Sequence, residues 1–133
     1  MATSGFIEYE DASSEVRKVY DDIMITRGTD RINNFWKALA VDPEMLRRTW
    51  EGVKTVMAPG AVDQLTKEMI YIAVSATNGC SYCVHSHTAS ARLKGLTNEM
   101  LSELIAVVGM ANQTNALADG FQIEIDQIFK SSG

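Results

Sequence analysis

No stretch of this 133-residue chain is apolar for long enough to cross a bilayer. The longest run, Met69 to Ala76, has Ser75 inside it and falls well short of the roughly 20 residues a spanning helix needs. The opening segment, Met1 to Ser14, lacks the charged and then apolar stretches of a secretion signal. A cytoplasmic location away from membranes is therefore expected. Positive charge is scarce as well: 12 Lys and Arg stand against 17 Asp and Glu, for a net charge of −5. No cluster of Lys or Arg offers the basic face that phosphate contacts require, so nucleic acid is not an expected partner. Low-complexity tracts, linkers and internal repeats are missing, which predicts one domain over residues 1–133 with a core of ordinary size. Cysteine is rare too. The two present, Cys80 and Cys83, sit three residues apart. In a reducing compartment that spacing points to redox or metal chemistry rather than a structural staple.

Hydrophobic residues make up 46% of the chain and charged residues 22%, the balance of a globular fold. Period-two alternation bounded by turns is absent, and helical punctuation takes its place. Glu15, Val16, Val19, Tyr20, Ile23 and Met24 recur at helical spacing, with Gly28 as a stop. A short helix is predicted from Ile32 to Ala40. Asp42 and Pro43 open a third helix that runs to about Val56, before the Pro59-Gly60 breaker. Asp63 caps a fourth, reaching about Thr77, and Asn78-Gly79 stops it. A fifth covers Ser81 to Lys94 and closes at Gly95. Thr97 caps a sixth carrying Met100, Leu101, Leu104, Ile105 and Val108. A last helix is expected over Asn112 to Phe129, with Gly120 inside it. The class is all-α, a bundle of about six or seven helices. Trp36, Trp50 and the methionines read as core.

The fourth helix is apolar nearly all round between Met69 and Ala76, and the sixth has the same character from Leu104 to Val108. Helices of that kind are normally buried on every side. Two of them compete for the interior of so short a chain, so a second copy is expected to cover the surplus.

The chemistry concentrates between Glu68 and His87. With a helix starting just after Gly79, both cysteines fall at its first turn, where unpaired backbone N–H groups and the positive end of the helix dipole stabilise a thiolate. Cys80 and Cys83 can approach closely enough there to form a disulfide. His87, four residues after Cys83, shares its face and can bond its sulfur or relay its proton. His85 points to roughly the opposite side and is an auxiliary candidate at most. Glu68 lies roughly 13 Å before the turn and His87 roughly 10 Å after it, at 1.5 Å per residue. A tight Asn78-Gly79 hairpin would therefore place Glu68, His87 and Cys83 in that order of depth. A carboxylate orienting an imidazole that activates a thiol needs that order.

Each signal has a plainer alternative. The cysteines could be small buried hydrophobes, His87 an ordinary surface residue, and Glu68 a solvated carboxylate. Tyr82 could be a gate or a donor, but packing is the simpler expectation. A zinc site from Cys80, Cys83, His85 and His87 would draw all its ligands from eight residues, whereas structural zinc sites collect pairs from separate segments. No metal and no cofactor are expected.

These residues resemble the carboxymuconolactone decarboxylase superfamily, and within it the alkylhydroperoxidase D-like branch. That branch is marked by a Glu, eleven residues, Cys-x-x-Cys, and a His four after the second Cys. Glu68, Cys80, Cys83 and His87 stand at those positions. The flanks are similar through residues 65–95, LTKEMIYIAVSATNGCSYCVHSHTASARLKG, and the likeness spans about residues 35–110. The resemblance implies an all-helical fold and subunits joined as hexamers, in first place, or trimers, with the site near a subunit contact. It also implies that Cys83 attacks a small peroxide, that Cys80 resolves the sulfenic acid, and that Glu68 and His87 pass the proton. A thiol or dithiol, which could be carried by a protein, would act as reductant. Some peroxidases of the branch carry a further His between the cysteines where this chain has Tyr82, and the best-known ones contain a duplicated core. Members that decarboxylate lack the cysteine pair. A general thiol–disulfide oxidoreductase acting on a protein, or a helical binding module with an inert cysteine pair, are the alternatives to a peroxidase.

Overall fold

Ser13 opens the first helix, α1 (Ser14–Arg27), by accepting the backbone N–H of Val16 at 3.2 Å, and Gly28 closes it in the left-handed region. A computed structural model describes residues 2–130 of the chain. Within them lie seven α-helices, one short 3-10 turn at Tyr9–Asp11 and no strand. After α1 come α2 (Asn34–Leu39) and α3 (Pro43–Met57), then α4 (Gln64–Asn78), α5 (Ser81–Leu93), α6 (Asn98–Gly120) and α7 (Gln127–Lys130). The predicted caps account for the starts. Asp42 accepts from Glu44 and Met45 N–H, Asp63 from Thr66 N–H, and Thr97 from Met100 N–H. Each satisfies backbone donors that the first turn leaves without helical partners.

The C-terminal third departs from the expectation of a separate helix over Asn112 to Phe129. α6 runs unbroken through Asn112 to Gly120, and Phe121 ends it. An irregular stretch follows, and then the single turn of α7. Asn112 falls mid-helix with nothing to interrupt the backbone ladder, while Gly120 supplies the weak point where the helix stops.

The chain divides between Ala58 and Pro59 into two compact units. In the first, Val16, Val19, Tyr20 and Ile23 of α1 are buried with Trp36, Leu46 and Trp50. The two indole rings meet edge to face at 5.5 Å between centroids, a favoured aromatic geometry. Trp50 also donates its indole N–H to Asp22 at 2.7 Å, so its polar atom is satisfied. In the second unit, Ile72 of α4, Ala91 of α5, Leu96 between α5 and α6, and Leu104 of α6 form the buried centre, with Met69 and Met100 packed against it. Met110 departs from the reading of the methionines as core: it stands on the outer side of α6, exposed.

The helices expected to be buried all round are not covered by this chain. On α4, Ile70 and Val74 are more than half exposed, and on α6 so are Val107 and Met110. Leu104 is the one residue of α6 in the buried set.

Candidate active site

The site grows from the turn between α4 and α5. Gly79 takes a left-handed conformation (φ 75°), which residues with a Cβ adopt at a cost. That lets Cys80 N–H reach back to the Ser75 carbonyl at 2.9 Å, with Gly79 N–H on that of Ala76. This pair of bonds closes α4 as a Schellman motif. Cys80 is at once the residue that locks the end of α4 and the N-cap of α5. The expectation of two cysteines in the first turn is thereby sharpened: Cys80 sits just outside the helix, and Cys83 is its third residue.

The two sulfurs are joined in a disulfide, with Cα atoms 5.3 Å apart. Cys80 Sγ also accepts the backbone N–H of Cys83 at 3.2 Å. A cysteine thus does the work that Ser or Asp does at other N-caps, and negative charge on this sulfur would face the positive end of the α5 dipole.

α4 and α5 run antiparallel, residues earlier in α4 meeting residues later in α5. Glu68, in the second turn of α4, is buried, with 5% of its surface exposed. Its Oε2 lies 2.7 Å from His87 Nδ1. Its Oε1 accepts from Ser90 Oγ at 2.8 Å and from Lys94 Nζ at 3.2 Å. Lys94 also donates to Ser90 Oγ at 2.8 Å. Burial alone would push the Glu68 carboxyl up. Hydrogen bonds from His87 and Ser90, with the Lys94 charge, outweigh it and hold the group below the usual carboxylate range. Glu68 is therefore an anion at neutral pH. An anionic Oε2 at 2.7 Å makes His87 Nδ1 the donor, which leaves Nε2 of the neutral ring with its lone pair.

Tyr71, one turn after Glu68 on α4, lies nearly parallel to the His87 ring with centroids 3.6 Å apart. The imidazole is fixed by the carboxylate at its edge and by the phenol ring on its face. His87 is one turn beyond Cys83 on the same side of α5, so the buried pair and the disulfide belong to one helix face.

The other predicted residues stand apart. His85 is exposed. Tyr82, at the start of α5, is 45% exposed. Among the described residues no group of three or more His, Cys, Asp or Glu is placed to hold a metal ion. Sequence reasoning overlooked Ser90, Lys94 and Tyr71. Their signal was present: His87, Ser90 and Lys94 follow at i, i+3 and i+7, and Glu68 and Tyr71 at i and i+3, so each set occupies one helix face.

A family model described as the carboxymuconolactone decarboxylase family matches residues 43–123. The crystal structure of the alkylhydroperoxidase AhpD core from Rhodospirillum rubrum is similar over 99% of each chain, with 52% identity and a TM-score of 0.95. Alkyl hydroperoxide reductase AhpD of Maricaulis maris is 40% identical over 63 residues, 47% of this chain and 35% of that protein. Uncharacterized protein 4 in the cox locus of Paracoccus denitrificans is 43% identical over 54 residues, 41% of this chain and 49% of that one. The chain thus matches half or less of the length of these curated relatives.

Proposed function

The chain belongs to the carboxymuconolactone decarboxylase family, with an alkylhydroperoxidase-like core, and we propose on that premise that it is a thiol-dependent peroxidase. The observation that carries the reading is a Cys80–Cys83 disulfide on the helix whose His87 is held by buried, anionic Glu68. In the reduced protein, His87 Nε2 takes the proton of Cys83, one turn away. The Cys83 thiolate attacks one peroxide oxygen. The O–O bond breaks, an alcohol leaves with the proton returned by His87, and Cys83 becomes a sulfenic acid. Cys80, its thiolate favoured at the helix cap, gives up its proton and attacks that sulfur, and the hydroxide expelled takes up that proton and leaves as water as the disulfide forms. An external thiol pair then reduces the disulfide and is itself oxidised. Two electrons pass from that reductant to the peroxide in each cycle.

Glu68 orients and charges the imidazole in this scheme and keeps its own proton state. Catalysis of this acid–base kind contributes about 10²- to 10⁴-fold.

Self-association belongs to the same reading. Exposed Ile70 and Val74 on α4 and Val107 on α6 present apolar surface in the second unit. Between these helices a groove of about 270 Å³ is lined by Val74, Thr77, Val107 and Val108. Thr77 is three residues from Cys80, so a copy seated on this face would border the disulfide. A hexamer is the preferred form, a trimer the second. Among the described residues no helix is long and apolar enough to cross a membrane.

The test is a thiol count during a single turnover. Reduced protein mixed with one equivalent of an alkyl hydroperoxide should lose two thiols and release one alcohol. Cys83→Ser should be inert. Cys80→Ser should accumulate a sulfenic acid that a dione reagent captures. Loss of thiols to a disulfide-bonded protein substrate, with peroxide left intact, would instead favour the disulfide-exchange reading.

A further inference from the structure

Glu68 is buried, yet its charge is balanced by a residue that lies outside the Glu, Cys, Cys, His pattern. Lys94 caps the C-terminal end of α5, 26 residues from Glu68 in sequence, and its ammonium reaches Oε1 at 3.2 Å. Ser90 stands between them, donating to Glu68 and accepting from Lys94, both at 2.8 Å. The three side chains close a triangle, and His87 occupies the remaining oxygen. The side chain of Lys94 is 30% exposed while that of Glu68 is 7% exposed, so the lysine brings charge from the surface to a carboxylate that solvent barely reaches. The hydrogen bonds from His87 and Ser90 and the charge of Lys94 together keep Glu68 ionised against its burial.

We propose that Lys94, both directly and through Ser90, is a positioning residue that keeps Glu68 ionised and thereby holds His87 with Nδ1 protonated and Nε2 free to take the cysteine proton. The proposal rests on the peroxidase reading above and adds to it the residue that sets the protonation state of the relay. Without the cation, a buried carboxylate tends to take a proton. A neutral carboxyl can donate to Nδ1 as readily as accept from it. The ring then shifts toward the Nε2–H form, which has no lone pair on the side where the proton must be received. A lysine that merely tied α5 to α4 would leave the tautomer of His87 unchanged.

The experiment uses the reduced 133-residue chain as wild type, Lys94→Met and Lys94→Arg. The tautomer of His87 is read by nitrogen-15 NMR between about pH 3 and 8, a range that takes in the titration of Glu68. The chain has two histidines, so a His87→Gln spectrum assigns the signal. Peroxide reduction is followed over the same range. Wild type and Lys94→Arg should keep the Nδ1–H form and share an acid limb. In Lys94→Met the Nε2–H form should grow, and the acid limb should move up by about one to two pH units, the shift expected on losing an opposite charge at this distance. Lys94→Gln stands in should Lys94→Met fail to fold. The proposal is overturned if the charge-removing variant keeps the wild-type tautomer and pH profile, or if Lys94→Arg loses both as fully. A wild type inert toward peroxide would sink the peroxidase reading instead, and the tautomer series would still decide the role of Lys94.

Discussion

Glu68→Gln is the substitution that separates shape from charge at this site. The glutamine fits the same space but replaces one acceptor oxygen with an NH2 donor. Wild-type Glu68 accepts three bonds, from His87, Ser90 and Lys94, at 2.7, 2.8 and 3.2 Å. If the new NH2 faces His87, Nδ1 must become the acceptor and the ring proton moves to Nε2, removing the base. If it faces Ser90 and Lys94, it meets an ammonium that no longer has a counter-charge. Bonds to charged groups contribute about 1.5–3 kcal/mol and neutral ones about 0.5–1.5 kcal/mol. Lys94 is partly exposed and can turn to water, so roughly 1–2 kcal/mol of stability should be lost, near the low end of what breaking a charged pair costs. Thiolate formation should fall further, by roughly 100-fold or more. Urea melts give the first number, and the rate of Cys83 alkylation in reduced protein gives the second. Acid adds a sign. The Glu68 carboxyl is held below its ordinary value, so its contribution is fully present above the unfolded carboxylate pKa and is lost as pH falls through the folded one. The glutamine variant should therefore lose less stability than wild type on acidification below about pH 4.5. A variant that matches wild type in alkylation rate and in acid response would show that Glu68 neither charges the site nor orients His87.

Other expectations follow from the same coordinates. Gly79→Ala meets no atom that would crowd its Cβ, so its cost is the left-handed backbone alone, about 1–2 kcal/mol, read from denaturant midpoints; no change would mean the turn can be rebuilt without positive φ. Asp22→Asn removes the charge that Trp50 and Lys54 hold, in that order, below the ordinary range; because the pair is about two-fifths exposed, a loss of about 0.5–1 kcal/mol is expected, with a change in tryptophan emission that an unaltered spectrum would deny. Tyr71→Phe should keep His87 in place by stacking, while Tyr71→Ala should slow peroxide reduction; equal rates in both would remove the ring from the account. Val74→Lys should shift sedimentation at micromolar concentration toward smaller species, and an unchanged profile would place self-association elsewhere.

Three helix starts were legible because Asp42, Asp63 and Thr97 each satisfy backbone donors at the place the pattern begins, whereas the caps at Ser13 and Cys80 were not read. The Gly79 stop was equally clear, and it fixed the hairpin from which the Glu68–His87 contact could be reasoned by length alone. Beyond Asn112 the residues carry no comparable cap, and the apolar side chains from there through Phe129 are exposed rather than ordered by a core. Their spacing therefore could not separate one long helix from two. Burial of Glu68 could not be read from its neighbours on α4. It depends on Ser90 and Lys94, polar residues that look like an ordinary solvated face until α5 is laid against α4.

The most direct test of the account is a stopped-flow titration of the reduced chain with an alkyl hydroperoxide, following thiols, alcohol and protein mass together. A peroxidase working through this site consumes one peroxide, releases one alcohol and loses both thiols of Cys80 and Cys83 in a single oxidised species lighter by two hydrogens. Thiols that survive peroxide unchanged, in a protein that is folded and fully reduced, would contradict it.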